Sequence, residues 1–274
     1  MRWRLIIDGG ARGAWNMAVD EAILLSHARG DTPPTLRLYE WRPPAVSVGY
    51  FQDMAGQIDL EACVRLGVEW VRRPTGGRAV LHEDEVTYSV TASERILGGS
   101  VLETYLELSK GLVEGLRLLG AQAEVAPGGP SGDARSAACF DAPSWYEIVC
   151  GGRKVVGSAQ TRHSGVMLQH GSIPLRFDVS RAVAVLQVGS DRARQRLAAS
   201  LGRKAAGLEE VLGRRVGALE VKRALAEGYS RALGWSFEIG GLTPAEREEA
   251  ARLEKEKYGS PTWNELRRGR DRSA

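Results

Sequence analysis

A chain of 274 residues, 43% hydrophobic and 26% charged, holds enough apolar material for a sizeable core and has the length of many mixed α/β enzymes. A formal net charge of +3 lacks the strong basic footprint of a dedicated nucleic-acid binder, and no window approaches the roughly 18 apolar residues of a membrane span. Cys63, Cys139 and Cys150 cannot all pair with one another, which points to reduced thiols; MRWRLIIDGG is too short in apolar residues for a signal peptide, so a cytoplasmic protein is expected.

Segment 3–7 (WRLII) reads as a short strand closed by the turn residues Asp8, Gly9 and Gly10. From Asn16 to Ala28 apolar residues recur at helical spacing (Met17, Ala18, Ala22, Leu25), with Asp20 and Glu21 in the early turns. TLRLYEW and AVSVGYF have strand character on either side of Arg42, Pro43 and Pro44. Ile58 to Leu66 predicts a short amphipathic helix ended by Gly67, with Cys63 packed among Leu60, Val64 and Leu66. VEWVRRP, AVLH and VTYSVTA are strand-like, separated by TGGR and EDE, and Leu102 to Leu119 is a clear amphipathic helix.

Residues 127–137 (PGGPSGDARSA) have the most loop-like composition in the chain. SWYEIVC, the turn Gly151–Gly152 and RKVVGSAQTR predict a β-hairpin, and GVMLQH and GSIPLRF follow as two further strand pieces. Strands mixed with helices over 1–180, then a mostly helical stretch over 181–274, predict an α/β or α+β fold, taken as α+β, whose helical C-terminal portion packs on the same domain.

Three constellations carry chemistry. In Arg72-Arg73-Pro74-Thr75-Gly76-Gly77-Arg78, paired glycines between strands let backbone approach a ligand closely, with the arginines facing something polar; a tight turn with solvated arginines fits the same residues. His82, just beyond, reads alone as a hydrogen-bonded structural histidine rather than a base. In Gly151-Gly152-Arg153-Lys154-Val155-Val156-Gly157-Ser158-Ala159, a lysine at the start of a small-residue strand can hold a carbonyl or carboxyl oxygen; the alternative is a solvated hairpin lysine. Cys139, in SAACFDAPSWYE, ends a polar loop where a thiol can stay accessible and a nearby lysine would favour its thiolate. Cys150 directly precedes the glycine turn, and any one cysteine can equally be a small buried hydrophobe.

Taken together, NMAVDEAIL, SVGYFQ, RRPTGGRAVLH with VTYSV, and GRKVVGSAQTR resemble, in order, the catalytic domain of the lipoate and biotin protein ligase superfamily over residues 3 to 180. SAACFDAPSWYEIVCGGRKVVGSAQTR is similar to the octanoyltransferases of Gram-positive bacteria. The resemblance implies a larger mixed β-sheet and a smaller one flanked by helices. It implies an enzyme that takes octanoyl from acyl carrier protein and places it on a lysine of the glycine cleavage H protein, or another lipoyl domain, through a cysteine thioester in lipoate biosynthesis. The nucleophile would be Cys139 and the carbonyl-orienting lysine Lys154. The acyl-pocket loop would be Arg73 to Val80, including Thr75, Gly76 and Gly77, with His82 close by and Gly157, Ser158 and Ala159 on the following strand. The family loop usually reads TGGRG or TGGGA where this one reads TGGRA, and Cys150 has no family role.

No nucleotide, cofactor or metal is required for such an exchange, and neither a nucleic acid nor a membrane is an expected partner. The rival readings are an ATP-dependent lipoate ligase, which needs no nucleophilic thiol, and an amidotransferase moving octanoyl between lipoyl domains. A module that only docks lipoyl domains would not need the whole set of Cys139, Lys154 and the glycine loop. A nucleic-acid role rests only on arginine clusters such as Arg214-Arg215 and RRGRDR.

Overall fold

The computed structural model describes residues 2–126 and 147–265. In chain order the elements are β1 (Arg2–Ala11), α1 (Gly13–Ala28), β2 (Thr35–Trp41), β3 (Ala45–Val48), α2 (Met54–Gln57), α3 (Leu60–Leu66), β4 (Glu69–Arg72), β5 (Val80–His82) and β6 (Glu85–Ser93). Then follow α4 (Glu94–Leu97), α5 (Val101–Leu118), β7 (Ala123–Val125), β8 (Ile148–Cys150), β9 (Arg153–His163) and β10 (Val166–Pro174). The remainder is α6 (Val179–Ala184), α7 (Asp191–Lys204), α8 (Leu208–Leu212), α9 (Ala218–Leu233), β11 (Ser236–Ile239), α10 (Pro244–Leu253), a π turn at Glu254–Tyr258, and α11 (Pro261–Asn264).

Among the described residues the strands form an eight-stranded mixed sheet, ordered β11-β1-β2-β6-β10-β9-β8-β7, and a three-stranded sheet, β4-β3-β5. The fold is thus α+β, with a large and a small sheet. Helix ends follow local chemistry: Ser100 caps α5 reciprocally with Glu103, Thr243 caps α10 with Glu246, and Gly67 closes α3 at φ +65°. The β8–β9 hairpin turns at Gly151 and Gly152, both at positive φ, as a tight two-residue turn demands.

The large sheet is covered on both faces, yet its central strands alternate. Leu36, Leu38, Val86, Tyr88, Val90, Met167 and Ile173 pack with α5 and α9 in one core. The opposite face, beneath α1, carries Arg37, Tyr39, Thr87, Ser89, His170 and Ser172, all buried. A sheet buried on both faces normally reads as a continuous apolar run, so a buried polar face is the informative departure. Strand register lines these residues into two rows across β2, β6, β10 and β9: Tyr39, Thr87, Ser172, Gly157, and Arg37, Ser89, His170, Ala159.

Several sequence expectations need correction. Asp8-Gly9-Gly10 does not end the first strand; β1 continues to Ala11 through a register irregularity between Ile7 and Gly10, and Gly10 lies where a Cβ would sit 2.9 Å from the Arg42 Cβ. GVMLQH and GSIPLRF are not two strands but the single β10. Its Gly171 is a close-approach position, since a Cβ there would meet the Tyr88 ring at 2.5 Å and the Gly157 carbonyl at 2.7 Å. Within the mostly helical stretch beyond Arg181, the sequence pattern does not reveal the strand β11, which pairs in parallel with β1 at the sheet edge. Asp20 and Glu21 lie further along the helix than the early turns expected for them, because α1 begins at Gly13. The loop-like stretch 127–137 lies outside the described residues.

Helix α9 crosses α5 at glycine-to-glycine distance: a Cβ on Gly228 would meet the Gly115 nitrogen at 2.2 Å. Beside this crossing Tyr229 stacks on Trp235, which stacks on Trp3 at 3.5 Å between centroids. The Tyr229 hydroxyl is buried without a hydrogen-bond partner. Gly228→Ala is therefore expected to lose at least about 2 kcal/mol in denaturant unfolding, because the contact atoms are backbone and cannot rotate away. Tyr229→Phe, which removes only an unsatisfied hydroxyl, is expected to be neutral or to gain up to about 1 kcal/mol in the same measurement.

Candidate active site

A small cavity lies under α1, on the polar face of the large sheet. Its walls are Met17, Tyr39, Trp41 and Val80, with Gly157, Ala159 and Gly171 presenting backbone and small surfaces. Arg73, Gly77 and His82 close it from the small-sheet side. Of the residues singled out in the sequence, Arg73, Gly77, His82, Gly157, Ser158 and Ala159 therefore converge here. Gly76 lines an adjoining, more open cleft together with Tyr50, Phe51, Gln160 and Trp263.

The loop 73–78 is shaped by Arg73. This residue is buried, and its guanidinium donates to the Ser47 carbonyl and hydroxyl and to the carbonyls of Gly76 (2.9 Å) and Arg78 (2.7 Å). Neighbouring Arg72 is also buried and donates to the carbonyls of Gly49, Gln52 and Asn264. Much of the donor capacity of both arginines thus fixes main chain, while Arg73 also lines the cavity. Gly49, in SVGYF, lies against this loop, where a Cβ would fall 2.0 Å from the Gly77 oxygen.

His82 stacks on Trp41 at 3.9 Å and 8°. Ser47 Oγ accepts from Arg73 and shares a hydrogen bond with His82 Nε2 at 2.7 Å, while His82 Nδ1 donates to Glu85 at 2.8 Å. Thr87 and Ser172 also donate to Glu85, and Thr87 accepts from the Trp41 indole. His82 is thus locked at the cavity wall by stacking and two hydrogen bonds.

The cavity floor is organised by Asp20, fully buried on α1. It accepts from Arg37 (2.9 Å), Tyr39 (2.9 Å), Ser89 (2.9 Å) and His170 Nδ1 (3.2 Å). Burial acts to raise its pKa, but the His170 hydrogen bond and the Arg37 charge outweigh it, so the carboxyl stays below its usual value. Burial holds His170 below its ordinary 6.5 despite Asp20, with Arg73 and His82 adding to the depression. The neutral ring donates from Nδ1, and its Nε2 takes the Thr75 hydroxyl at 2.7 Å. Thr75, another expected site residue, thus ties the glycine loop to the floor.

Lys154 does not line the cavity. It sits on β9 three residues before Gly157, 3% exposed, with its Nζ 2.6 Å from Glu147 Oε1. Cys139 lies outside the described residues. Cys63 and Cys150 are buried, and burial pushes each thiol up to about 11, so neither has thiolate character near neutral pH. Among the described residues no group of three His, Cys, Asp or Glu side chains could hold a metal ion, and no helix is long and apolar enough to cross a membrane.

Sequence reasoning passed over Asp20, Gly49, Glu147, His170 and Gly171. The signal for Asp20 was an acid three residues from Met17 and four from Leu24 on an otherwise apolar helix face; for His170 it was a histidine inside a strand buried on both sides.

The family described as lipoyl protein ligase A/B catalytic domain matches residues 12–230. Octanoyltransferase LipM of Moorella thermoacetica is 52% identical over 265 residues, covering 95% of this chain and 97% of that one. LipM of Bacillus subtilis is 42% identical over 270 residues, covering 96% and 97%. Among solved structures, a bipartite lipoate protein ligase of Thermoplasma acidophilum, reported with its E2 lipoyl domain, superposes with a TM-score of 0.82 at 26% identity and covers 98% of each chain. A lipoate-protein ligase A bound with ATP gives 0.80 at 28% identity, covering 97% of this chain and 100% of that one.

The depressed pKa of His170 has a consequence for stability. Its folded form stays neutral below 6.5 while the unfolded chain binds the proton near 6.5, so the stability it contributes is complete above that pH and is lost as pH falls through the interval beneath it. Asp20 works in the same direction at lower pH, its contribution being lost only below its ordinary 3.8. Thermal melts from about pH 8 to about pH 5 should show Tm falling on the acid side, and His170→Gln should flatten that slope whatever its Tm at the start.

Proposed function

The chain belongs to the lipoyl protein ligase A/B catalytic domain family, and on that basis we propose that it moves an octanoyl group from acyl carrier protein to a lysine of a lipoyl-domain protein such as the glycine cleavage H protein. It is an acyltransferase of lipoate biosynthesis. The observation that carries this reading is 52% identity, over nearly the whole chain, to an octanoyltransferase. The cavity supports it: a narrow space walled by Met17, Tyr39, Trp41 and Val80 and by glycine backbone suits an unbranched apolar chain. At ~0.8 kcal/mol per buried CH₂, the methylenes of an octanoyl chain supply about 5 kcal/mol of binding.

The proposed chemistry runs in two steps. The Cys139 thiolate attacks the carbonyl of the donor thioester, the carrier sulfur leaves as its thiolate with the electron pair of the broken C–S bond, and an acyl-enzyme thioester remains. One thioester replaces another, so the exchange is close to balanced and draws on no nucleotide. The deprotonated amine of the acceptor lysine then attacks the same carbonyl, expels the Cys139 thiol and forms an amide, which is the downhill step. Lys154 is assigned the developing oxyanion in both steps, a charge aimed where negative charge appears. Arg73, Thr75, Gly76, Gly77 and His82, with Gly157, Ser158 and Ala159, are assigned the acyl chain.

Intact-protein mass spectrometry after mixing the enzyme with octanoyl-acyl carrier protein, without ATP, tests this reading. One octanoyl group is expected on the wild type and on Cys150→Ala, and none on Cys139→Ala. Labelling that requires ATP would return the chain to the ligase reading, and a modified Cys150 would displace Cys139.

A further inference from the structure

We propose that Glu147 is a positioning residue for the transfer reaction, holding the Lys154 ammonium where the acyl oxygen gains negative charge; this rests on the role assigned to Lys154 above. Glu147 stands just before β8, and Lys154 is the second residue of β9, across the same hairpin. Their side chains are 11% and 3% exposed, and Lys154 Nζ lies 2.6 Å from Glu147 Oε1. The pair is therefore largely removed from water, where a charge-assisted hydrogen bond is short, strong and little screened.

Both backbones are held independently of this contact. The Ala126 N–H donates to the Glu147 carbonyl at 2.8 Å, and the Ala206 N–H donates to the Lys154 carbonyl at 3.0 Å. Between them the hairpin is irregular: Val149 pairs with Lys154, but Ile148 pairs with Val156, leaving Val155 as an extra residue on β9. Such a bulge bends a strand and re-aims a side chain, here immediately before the cavity-lining Gly157 to Ala159.

A lysine has a flexible four-carbon stem, and its head group takes whatever position its partners define. Its ammonium has three donors, so the bond to Glu147 is compatible with another to an acyl oxygen. Buried ion pairs are seldom the most stable filling for their volume, and apolar replacements of similar size are often neutral or stabilising. The Glu147–Lys154 pair is thus better explained by the placement of a charge than by stability. The exposed Arg153–Glu210 pair on the neighbouring residue, 32% and 60% exposed, lacks this enclosure.

The test is a double-mutant cycle on single-turnover octanoylation of the enzyme by octanoyl-acyl carrier protein, with thermal melts confirming the fold of each variant. Lys154→Ala is expected to slow acylation by ~10²–10³-fold. Glu147→Gln, nearly isosteric, is expected to slow it about ten- to a hundredfold, as the loss of a partner that orients a functional ligand does, with donor KM little changed. Glu147→Asp, which keeps the charge on a shorter stem, is expected between wild type and Glu147→Gln, and it carries the test should Glu147→Gln not fold. The double variant Glu147→Gln/Lys154→Ala is expected to be no slower than Lys154→Ala alone, because Glu147 acts through Lys154. Wild-type rates in both Glu147 variants, or a double variant slower by the full Glu147→Gln factor, would overturn the proposal while leaving Lys154 in place. A wild-type rate in Lys154→Ala would overturn the assignment of Lys154 and this inference with it.

Discussion

A carboxylate with no access to water has to be surrounded by donors, and Asp20 imposes that requirement on the middle of this fold. Arg37 and Tyr39 of β2, Ser89 of β6 and His170 of β10 all donate to it from one face of the large sheet. An unpaired charge in such a place would cost several kcal/mol, so α1 and the sheet are bound to a single relative position. The polar alternation of otherwise buried strands follows from the same need. So does the state of His170, which spends one ring nitrogen on Asp20 and presents the other to Thr75.

From Thr75 the constraint passes to the glycine loop. The loop carries no side chain at 76 and 77, and Arg73 holds its carbonyls from within. Gly49 meets it backbone to backbone, and Gly171 meets Gly157 and Tyr88 with no space for a methyl group. The small space that remains between these surfaces, α1 and β2 is lined in part by Met17, Tyr39, Trp41 and Val80, the apolar contact that the proposed acyl site requires. Tyr39, Trp41, Arg73 and His82 are each held by buried hydrogen bonds, which do not give way cheaply.

Much of this architecture is legible in the chain itself, and the misses share a physical cause. Periodicity locates α1 and α5, glycine punctuation locates the α3 terminus and the β8–β9 turn, and ordered motif blocks locate the loop at 73–78. What sequence pattern misreads is glycine used for proximity rather than for turning: Gly10 and Gly171 look like strand ends, yet β1 and β10 continue through them. Asp20 likewise reads only as an acid in the early turns of a helix, because its partners come from three strands distant in sequence. Arg73 looks like a ligand-facing charge, and only the folded loop reveals the carbonyls it satisfies. β11 is four residues long, sits in helical surroundings, and acquires its strand geometry from β1 alone.

The central claim is that the cavity between α1 and the polar face of the sheet holds the acyl chain. The most direct measurement is a crystal structure of the enzyme loaded from octanoyl-acyl carrier protein. The expected result is an octanoyl chain lying among Met17, Tyr39 and Gly171 and beneath Gly77, with the Asp20–His170 and His170–Thr75 hydrogen bonds intact. An acyl chain found in the open cleft beside Tyr50 and Phe51, with the cavity unoccupied, would contradict it.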